Sequence, residues 1–170
     1  MKKILHIYRR LFWSQERYAR FIGVSIGSRC NIQNVNFGSE PYLIEIGNHV
    51  QVTSGTKFFT HGAAWVFRDK YPDIDFFGKI KVGDNVYIGN NALILAGVTI
   101  GSNVIVAAGS VVTKSVPDFK IVGGNPARVI GDVDTFEKEY AVYNVKTKGM
   151  SYEEKKRKLL SLTNDEFIIK

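Results

Sequence analysis

Between Val82 and Pro117 apolar and turn-forming positions alternate with a period of six: VGDNVY, IGNNAL, ILAGVT, IGSNVI, VAAGSV, VTKSVP. The first place of each unit is Val or Ile. The fifth is Val86, Ala92, Val98, Val104, Ser110 or Val116, always small or β-branched. Gly, Asn and Asp crowd the places between. Neither the 3.6 period of a helix nor the 2.0 period of a lone strand fits this spacing. A short strand, a turn and a second short strand do. Repetition at six predicts a parallel β-helix, in which each unit buries its apolar face only by stacking on the next coil.

Three six-residue sides make one triangular turn, so residues 18 apart are expected to stack. The first places (Val82, Ile88, Ile94, Ile100, Val106, Val112) then point into the prism, and the fifth places point inward beside a corner, where only small side chains fit. Asn85, Asn90, Asn91 and Asn103 are predicted to occupy left-handed corner positions, which Asn tolerates.

The same register runs earlier, through units starting at Ile26, Ile46, Val52 and Phe58, with a poorer one at Ile32. Ile32 and Ile46 are 14 apart, which predicts a two-residue insertion near Gly38–Tyr42. From Ala63 to Lys79 the pattern is lost, and this stretch is predicted to be a loop thrown out of the prism. Loops of that length are usually functional or disordered. Its aromatics (Trp65, Phe67, Tyr71, Phe76, Phe77) need a surface, such as a neighbouring subunit.

The chain is therefore expected to be all-β, a parallel β-helix of about five coils over residues 24–131 with a protruding loop at 63–79. An N-terminal helical cap (1–23) and a C-terminal helical extension (132–170) flank it. In residues 2–20, Ile4, Leu5, Tyr8, Leu11 and Phe12 lie at helical spacing, with six Lys and Arg against Glu16 alone. That segment reads as the cap a solenoid requires; contact with an anionic membrane surface is the alternative. Ser151 and Glu154 form a capping box that opens a helix through Glu153–Leu162.

Composition narrows the function classes. Hydrophobic residues make up 45% of the chain, as in soluble globular domains, and no run approaches the length of a membrane span. The one cysteine, Cys30, falls at a fifth place and reads as a small inward-facing residue. With no internal disulfide available, the chain suits a reducing compartment. No secretory signal is evident, because Arg9-Arg10 interrupts the apolar run after Lys2-Lys3. The expected location is cytoplasmic, with the inner face of the membrane as the alternative. The net charge of +7 could serve nucleic acid, but no basic stripe with stacking aromatics accompanies it, so an anionic small ligand is the better expectation.

The runs Gly83–Gly89 (GDNVYIG), Ala107–Lys114 (AAGSVVTK) and Val122–Ile130 (VGGNPARVI) resemble the hexapeptide-repeat acyltransferases over about residues 24–130. The closest members are galactoside and maltose O-acetyltransferases, xenobiotic acetyltransferases, and O-acetyltransferases of capsule and lipopolysaccharide synthesis. The resemblance implies a left-handed β-helix, a hand that periodicity does not encode and that departs from the usual crossover rule. It further implies acetyl-CoA as acyl donor, a carbohydrate hydroxyl as acceptor, and a homotrimer with active sites between subunits.

Acetyl transfer needs a base for the acceptor hydroxyl, a hydrogen-bond donor for the carbonyl oxygen and cations for the phosphates. Of the three histidines, His6 is expected to be solvated and His49 to face solvent at a turn. His61 stands where the repeat breaks into the loop, the place of the family's base; Gly62 after it departs from the usual Pro or Asp. Carried across residue by residue, Asn90 would donate its backbone N–H to the oxyanion, Tyr87 would line the acyl or pantetheine channel, and Ala108 would let the pantetheine arm approach. Lys114 and Arg128 would meet the phosphates. Glu40, at the insertion, lies 21 residues before His61, one coil plus three, close enough to orient the imidazole; an exposed turn carboxylate is the alternative. Trp65 and Arg68 are candidates for stacking on a sugar and for holding an anionic part of the acceptor. No nucleophile elbow or suitably placed cysteine supports an acyl-enzyme, and three scattered histidines do not supply a metal site. N-acetylation of a nucleotide-linked amino sugar, antibiotic O-acetylation and a non-catalytic β-helical scaffold remain the competing readings.

Overall fold

A computed structural model describes residues 8, 9 and 11–169 of the 170-residue chain. Thirteen short strands wind around a triangular prism. One face carries β1 (Ser25–Ile26), β3 (Ile44–Ile46), β6 (Ile80–Val82) and β9 (Thr99–Ile100), all parallel. The second carries β2 (Asn31–Ile32), β4 (Gln51–Val52), β7 (Val86–Ile88), β10 (Val104–Val106) and β12 (Lys120–Gly123) in parallel, and closes with the antiparallel β13 (Arg128–Asp132). The third holds β5 (Lys57–Phe58), β8 (Leu93–Ile94) and β11 (Val111–Val112).

Register follows the repeat. Val86, Tyr87 and Ile88 pair with Val104, Ile105 and Val106, each 18 residues on. Every predicted first place from Val82 to Val112 is buried, as is every fifth place from Val86 to Val116. Burying one such aliphatic side chain is worth about 1.5–3 kcal/mol, so the stack is held by a continuous column of Val and Ile. Cys30 is half-buried against that core.

At the corner between the first and second faces, Gly27, Gly47, Gly83 and Gly101 lie one above another. A Cβ on Gly83 would sit 2.8 Å from the Gly101 carbonyl carbon, so only glycine fits between coils there. Side chains beside them bond coil to coil: Asn48 Oδ1 accepts from Ser28 N, Asp84 Oδ1 from Asn48 N, Ser102 Oγ from Asp84 N, and Asp118 Oδ1 from Ser102 N. Asn85, Asn91 and Asn103 adopt positive φ as expected. Asn90 does not; the turn it opens puts the left-handed residue one place later, at Asn91.

Three departures interrupt the stack, the last a shortening by two residues between Val112 and Val116, after which Ile100 pairs with Val116 and Ile105 with Ile121 at offsets of 16. Ser25 pairs with Glu45 and Asn31 with Gln51, offsets of 20 rather than 18, which places the two-residue insertion between Ile32 and Ile44. Ile44 pairs with Ile80, 36 positions on, so one coil plus an 18-residue excursion separates them. The excursion leaves after Thr60 and returns where Gly78 N–H donates to Thr60 O. It contains a 3-10 turn, Ala64–Phe67.

Residues up to Val133 form one compact unit, with helix α1 (Gln15–Ile22) belonging to it. Ser14 caps α1 by accepting from Arg17 N, and Gly23 ends it in a left-handed conformation. Arg20 reaches the carbonyls of Ile26 and Gly27, which fastens the helix to the first coil. The helix expected over residues 2–20 is interrupted at Trp13–Ser14: Tyr8, Arg9, Leu11 and Phe12 are helical before the break and α1 follows at 15–22; residues 1–7, with His6, and Arg10 lie outside the described residues. Asp134–Lys170 forms a second unit, with α2 (Val133–Tyr140) starting at its edge and α3 (Tyr152–Leu160) opened by the Ser151–Glu154 capping box. Among the described residues no helix is long and apolar enough to cross a membrane.

Candidate active site

Strand β5 ends at the corner between the third and first faces. Side chains alternate through it: Thr56, Phe58 and Thr60 point in, while Lys57, Phe59 and His61 point out. His61 is therefore presented outward at the root of the excursion, and it forms an antiparallel bridge with Phe77 on the returning strand. The Phe77 ring lies 5.7 Å from the imidazole, between centroids.

The insertion one coil earlier supplies the imidazole's partner. Gly38 takes a left-handed φ of 67°, and Asn36 Oδ1 accepts its N–H. The chain then turns through Pro41–Leu43, a 3-10 helix for which Glu40 is the N-cap residue. The Glu40 side chain does not cap that helix. It reaches across the coil, where Oε2 lies 2.7 Å from His61 Nδ1 and accepts the Thr60 hydroxyl at 2.6 Å. The Thr60 hydroxyl is the largest influence on Glu40 and holds its carboxyl below the ordinary carboxylate value; desolvation opposes it, and the His61 bond and charge add to the lowering. An ionised carboxylate can only accept, so Nδ1 carries the proton and Nε2 keeps its lone pair. His61 retains 42% of its side-chain exposure and Glu40 only 16%, so the carboxylate is shielded while the imidazole faces solvent.

The other expected residues lie elsewhere on the prism. Asn90 and Ala108 stack at the corner between the second and third faces, 18 residues apart. Their backbone N–H groups donate to no partner among the described residues, whereas the Gly109 N–H is taken by Asn90 O. The absent Cβ of Gly89 lets the Ala108 backbone sit against it. One face of six residues, up to roughly 20 Å at ~3.3 Å per residue, separates this corner from that of His61. Tyr87 stands on the outer side of the second face, in a groove with Arg29, His49 and Asn85. His49 is exposed there, with Nδ1 2.8 Å from Asn85 Oδ1.

Lys114 and Arg128 come together in a pocket of about 220 Å³ beside Pro117 and Ala127 at the far end of the prism. Trp65 and Arg68 are together in the excursion, the guanidinium 5.8 Å from the Trp65 ring centre, and Trp65 is 80% exposed. Among the described residues no group of three or more His, Cys, Asp or Glu side chains could hold a metal. Sequence reasoning missed Thr60 and Phe77. Thr60 sits at a third place, where a threonine reads as a turn residue, and Phe77 reads as one of several loop aromatics.

Comparison with known proteins bears on this arrangement. Residues 79–114 match the bacterial transferase hexapeptide (six repeats) family. The chain is 50% identical to protein CapG of Staphylococcus aureus over 146 residues, 84% of this chain and 85% of that protein. It is 41% identical to the galactoside O-acetyltransferase of Escherichia coli K12 over 102 residues, 59% of this chain and half the length of that enzyme. A hexapeptide-repeat-containing acetyltransferase from Vibrio cholerae O1 biovar eltor, solved in complex with acetyl-CoA, superposes with a TM-score of 0.59 at 36% identity. That match covers 65% of this chain and 61% of the Vibrio chain.

Proposed function

The chain belongs to the hexapeptide-repeat acetyltransferases, with their left-handed β-helix, and from that membership we propose that it carries an acetyl group from acetyl-CoA to a hydroxyl of a carbohydrate acceptor, with His61 as general base. The observation that carries this reading is the Glu40–His61 pair at the root of the excursion, which leaves Nε2 available on an outward-facing imidazole. The likeness to a galactoside O-acetyltransferase supports a sugar hydroxyl as the acceptor.

Acetyl-CoA supplies the activated carbonyl; the protein supplies the rest. His61 Nε2 takes the acceptor proton as the hydroxyl oxygen bonds to the acetyl carbon. Glu40, kept ionised by Thr60, balances the imidazolium so formed. A backbone N–H at Asn90 donates to the carbonyl oxygen as negative charge gathers there. When the carbon–sulfur bond breaks, Nε2 returns its proton to the departing thiolate, and the base is restored without an acyl-enzyme. Lys114 and Arg128 fit the phosphates of the donor, since both line one pocket. Ala108 and Tyr87 would border the pantetheine arm, and Trp65 and Arg68 the acceptor.

In one chain His61 and Asn90 occupy different corners, so the reading requires a second copy to bring one chain's base to another's N–H groups. The exposed aromatics of the excursion supply apolar surface for that contact. Acetyl-CoA incubated with a panel of simple glycosides should give acetylated sugar and free thiol in equal amounts. Light scattering should give three times the 19.1 kDa chain mass. Release of thiol with no acetylated sugar, or a fully active monomer, would overturn the respective parts of the proposal.

A further inference from the structure

Thr60 is a polar residue buried at the third place of its unit, a place that is exposed or half-buried in the regular coils from Asp84 to Lys114. It continues the inward row of Thr56 and Phe58, and it is 1% exposed. A buried hydroxyl without a partner is destabilising, so its bond identifies what it is held for. That bond goes to Glu40 Oε2, the same oxygen that faces His61 Nδ1. The backbone of Thr60 is engaged as well, its carbonyl accepting from Gly78 N–H where the excursion returns. One residue therefore joins the insertion that carries Glu40, the exit of the excursion at His61 and its re-entry at Gly78.

Two consequences follow from this placement. A Glu side chain has three rotatable bonds and loses much rotamer freedom when ordered; a single bond from a partly exposed imidazole leaves it free to swing into solvent. The Thr60 hydroxyl adds a second donor from a buried, β-branched side chain with a restricted χ1. It also fixes which carboxylate oxygen faces the imidazole. We propose that Thr60 is a positioning residue of the transferase site, its buried hydroxyl locking Glu40 so that His61 keeps its proton on Nδ1 and presents Nε2 to the acceptor. The inference rests on the His61 general-base reading. No proton passes through Thr60; its hydroxyl stays protonated throughout.

The test is chosen so that it needs no acceptor. In the ¹⁵N-labelled full-length protein, long-range proton–nitrogen spectra at a pH where the imidazole is neutral report which ring nitrogen is protonated, with His61 assigned by the loss of its signals in His61→Ala. Wild type should show the Nδ1–H form. Thr60→Val, which keeps the shape and removes the hydroxyl, should shift His61 toward the Nε2–H form that free imidazole favours, and Thr60→Ser should restore the wild-type spectrum. With acetyl-CoA and a methyl galactoside as probe acceptor, Thr60→Val should lower kcat about tenfold, the loss of one hydrogen bond to a charged group, with KM for acetyl-CoA unchanged.

An unchanged His61 spectrum in Thr60→Val, or a Val variant that only unfolds at lower temperature with its tautomer intact, would overturn the positioning role. Should the Val variant fail to fold, Thr60→Ala gives the same reading, since it also lacks the hydroxyl and cannot overpack the corner. Wild-type transfer by His61→Ala would sink the general-base reading instead, and the tautomer experiment separates that outcome from a failure of Thr60.

Discussion

Coils 80–116 and the segment 36–79 are made of the same stacked strands and do different work. In the first, the apolar column is unbroken, offsets are 18 as far as Val112, and polar corner groups bond to their neighbours in the next coil. In the second, a two-residue insertion and an 18-residue excursion open the stack, and at that opening Glu40, Thr60 and His61 meet. A regular coil bonds to its neighbours and turns mostly short side chains outward at its corners, leaving backbone groups such as the Asn90 and Ala108 N–H open among the described residues. An interruption frees side chains to converge from different coils, while the coils on either side hold the opening in place. Open backbone groups and converging side chains thus belong to different parts of the same solenoid.

Mutations on the two sides of that division should separate cleanly. The largest effect is expected at the interruption: His61→Ala should lower kcat by roughly 10²–10⁴-fold, the worth of general-base catalysis, while calorimetry finds acetyl-CoA binding and thermal stability near wild type. Activity retained at full rate would remove the catalytic meaning of the break. In the regular coils the reverse is expected. Ile94, fully buried between β5 and β11, should cost about 2–5 kcal/mol of stability when replaced by Ala, read as a lower denaturant midpoint with KM unchanged in the folded fraction.

Glu40→Gln tests the interruption at an intermediate magnitude. Loss of its charge should reduce kcat about 10–100-fold, the range for hydrogen bonds to charged groups. It also has a pH signature. The folded-state carboxyl is held below its ordinary value of 4.5, so it contributes stability that is fully present above that value and lost as pH falls through the lower folded one. Unfolding temperatures of wild type should therefore fall more steeply than those of Glu40→Gln as the solution is acidified below pH 4.5; parallel curves would mean that the ion pair is not formed. The smallest effects are expected at the far end of the prism. Lys114→Ala and Arg128→Ala should each weaken acetyl-CoA several-fold through loss of a charge-assisted phosphate contact, and weaken a dephospho-CoA thioester less. Equal losses for both ligands would place these residues away from the ribose phosphate.

The sequence by itself determined the prism. Val and Ile at every first place from Val82 to Val112, small or β-branched residues at the fifth places there, the extra two residues between Ile32 and Ile46 and the lost pattern from Ala63 could all be read by counting. The count succeeds because a coil's neighbours lie at a constant chain separation, so burial in three dimensions appears as periodicity in one. The flanks have no such repeat. Strand β13 and the bounds of α2 within the helical extension were not foreseen for that reason, and the break in the N-terminal helix was missed because it depends on Ser14 capping through Arg17 N.

At the site, the spacing of 21 brought Glu40 to the right coil and could not say whether it turned toward His61 or toward water. Only the tertiary structure decided that. The carboxylate's direction depends on the left-handed turn at Gly38 and on a hydroxyl presented from inside the next coil, two features that meet in space and share no period in the chain. The same holds for Asn90 and His61. Counting assigns each to a coil, and the closure of three faces into a prism sets them on different corners, which is why the proposed mechanism calls on a second chain.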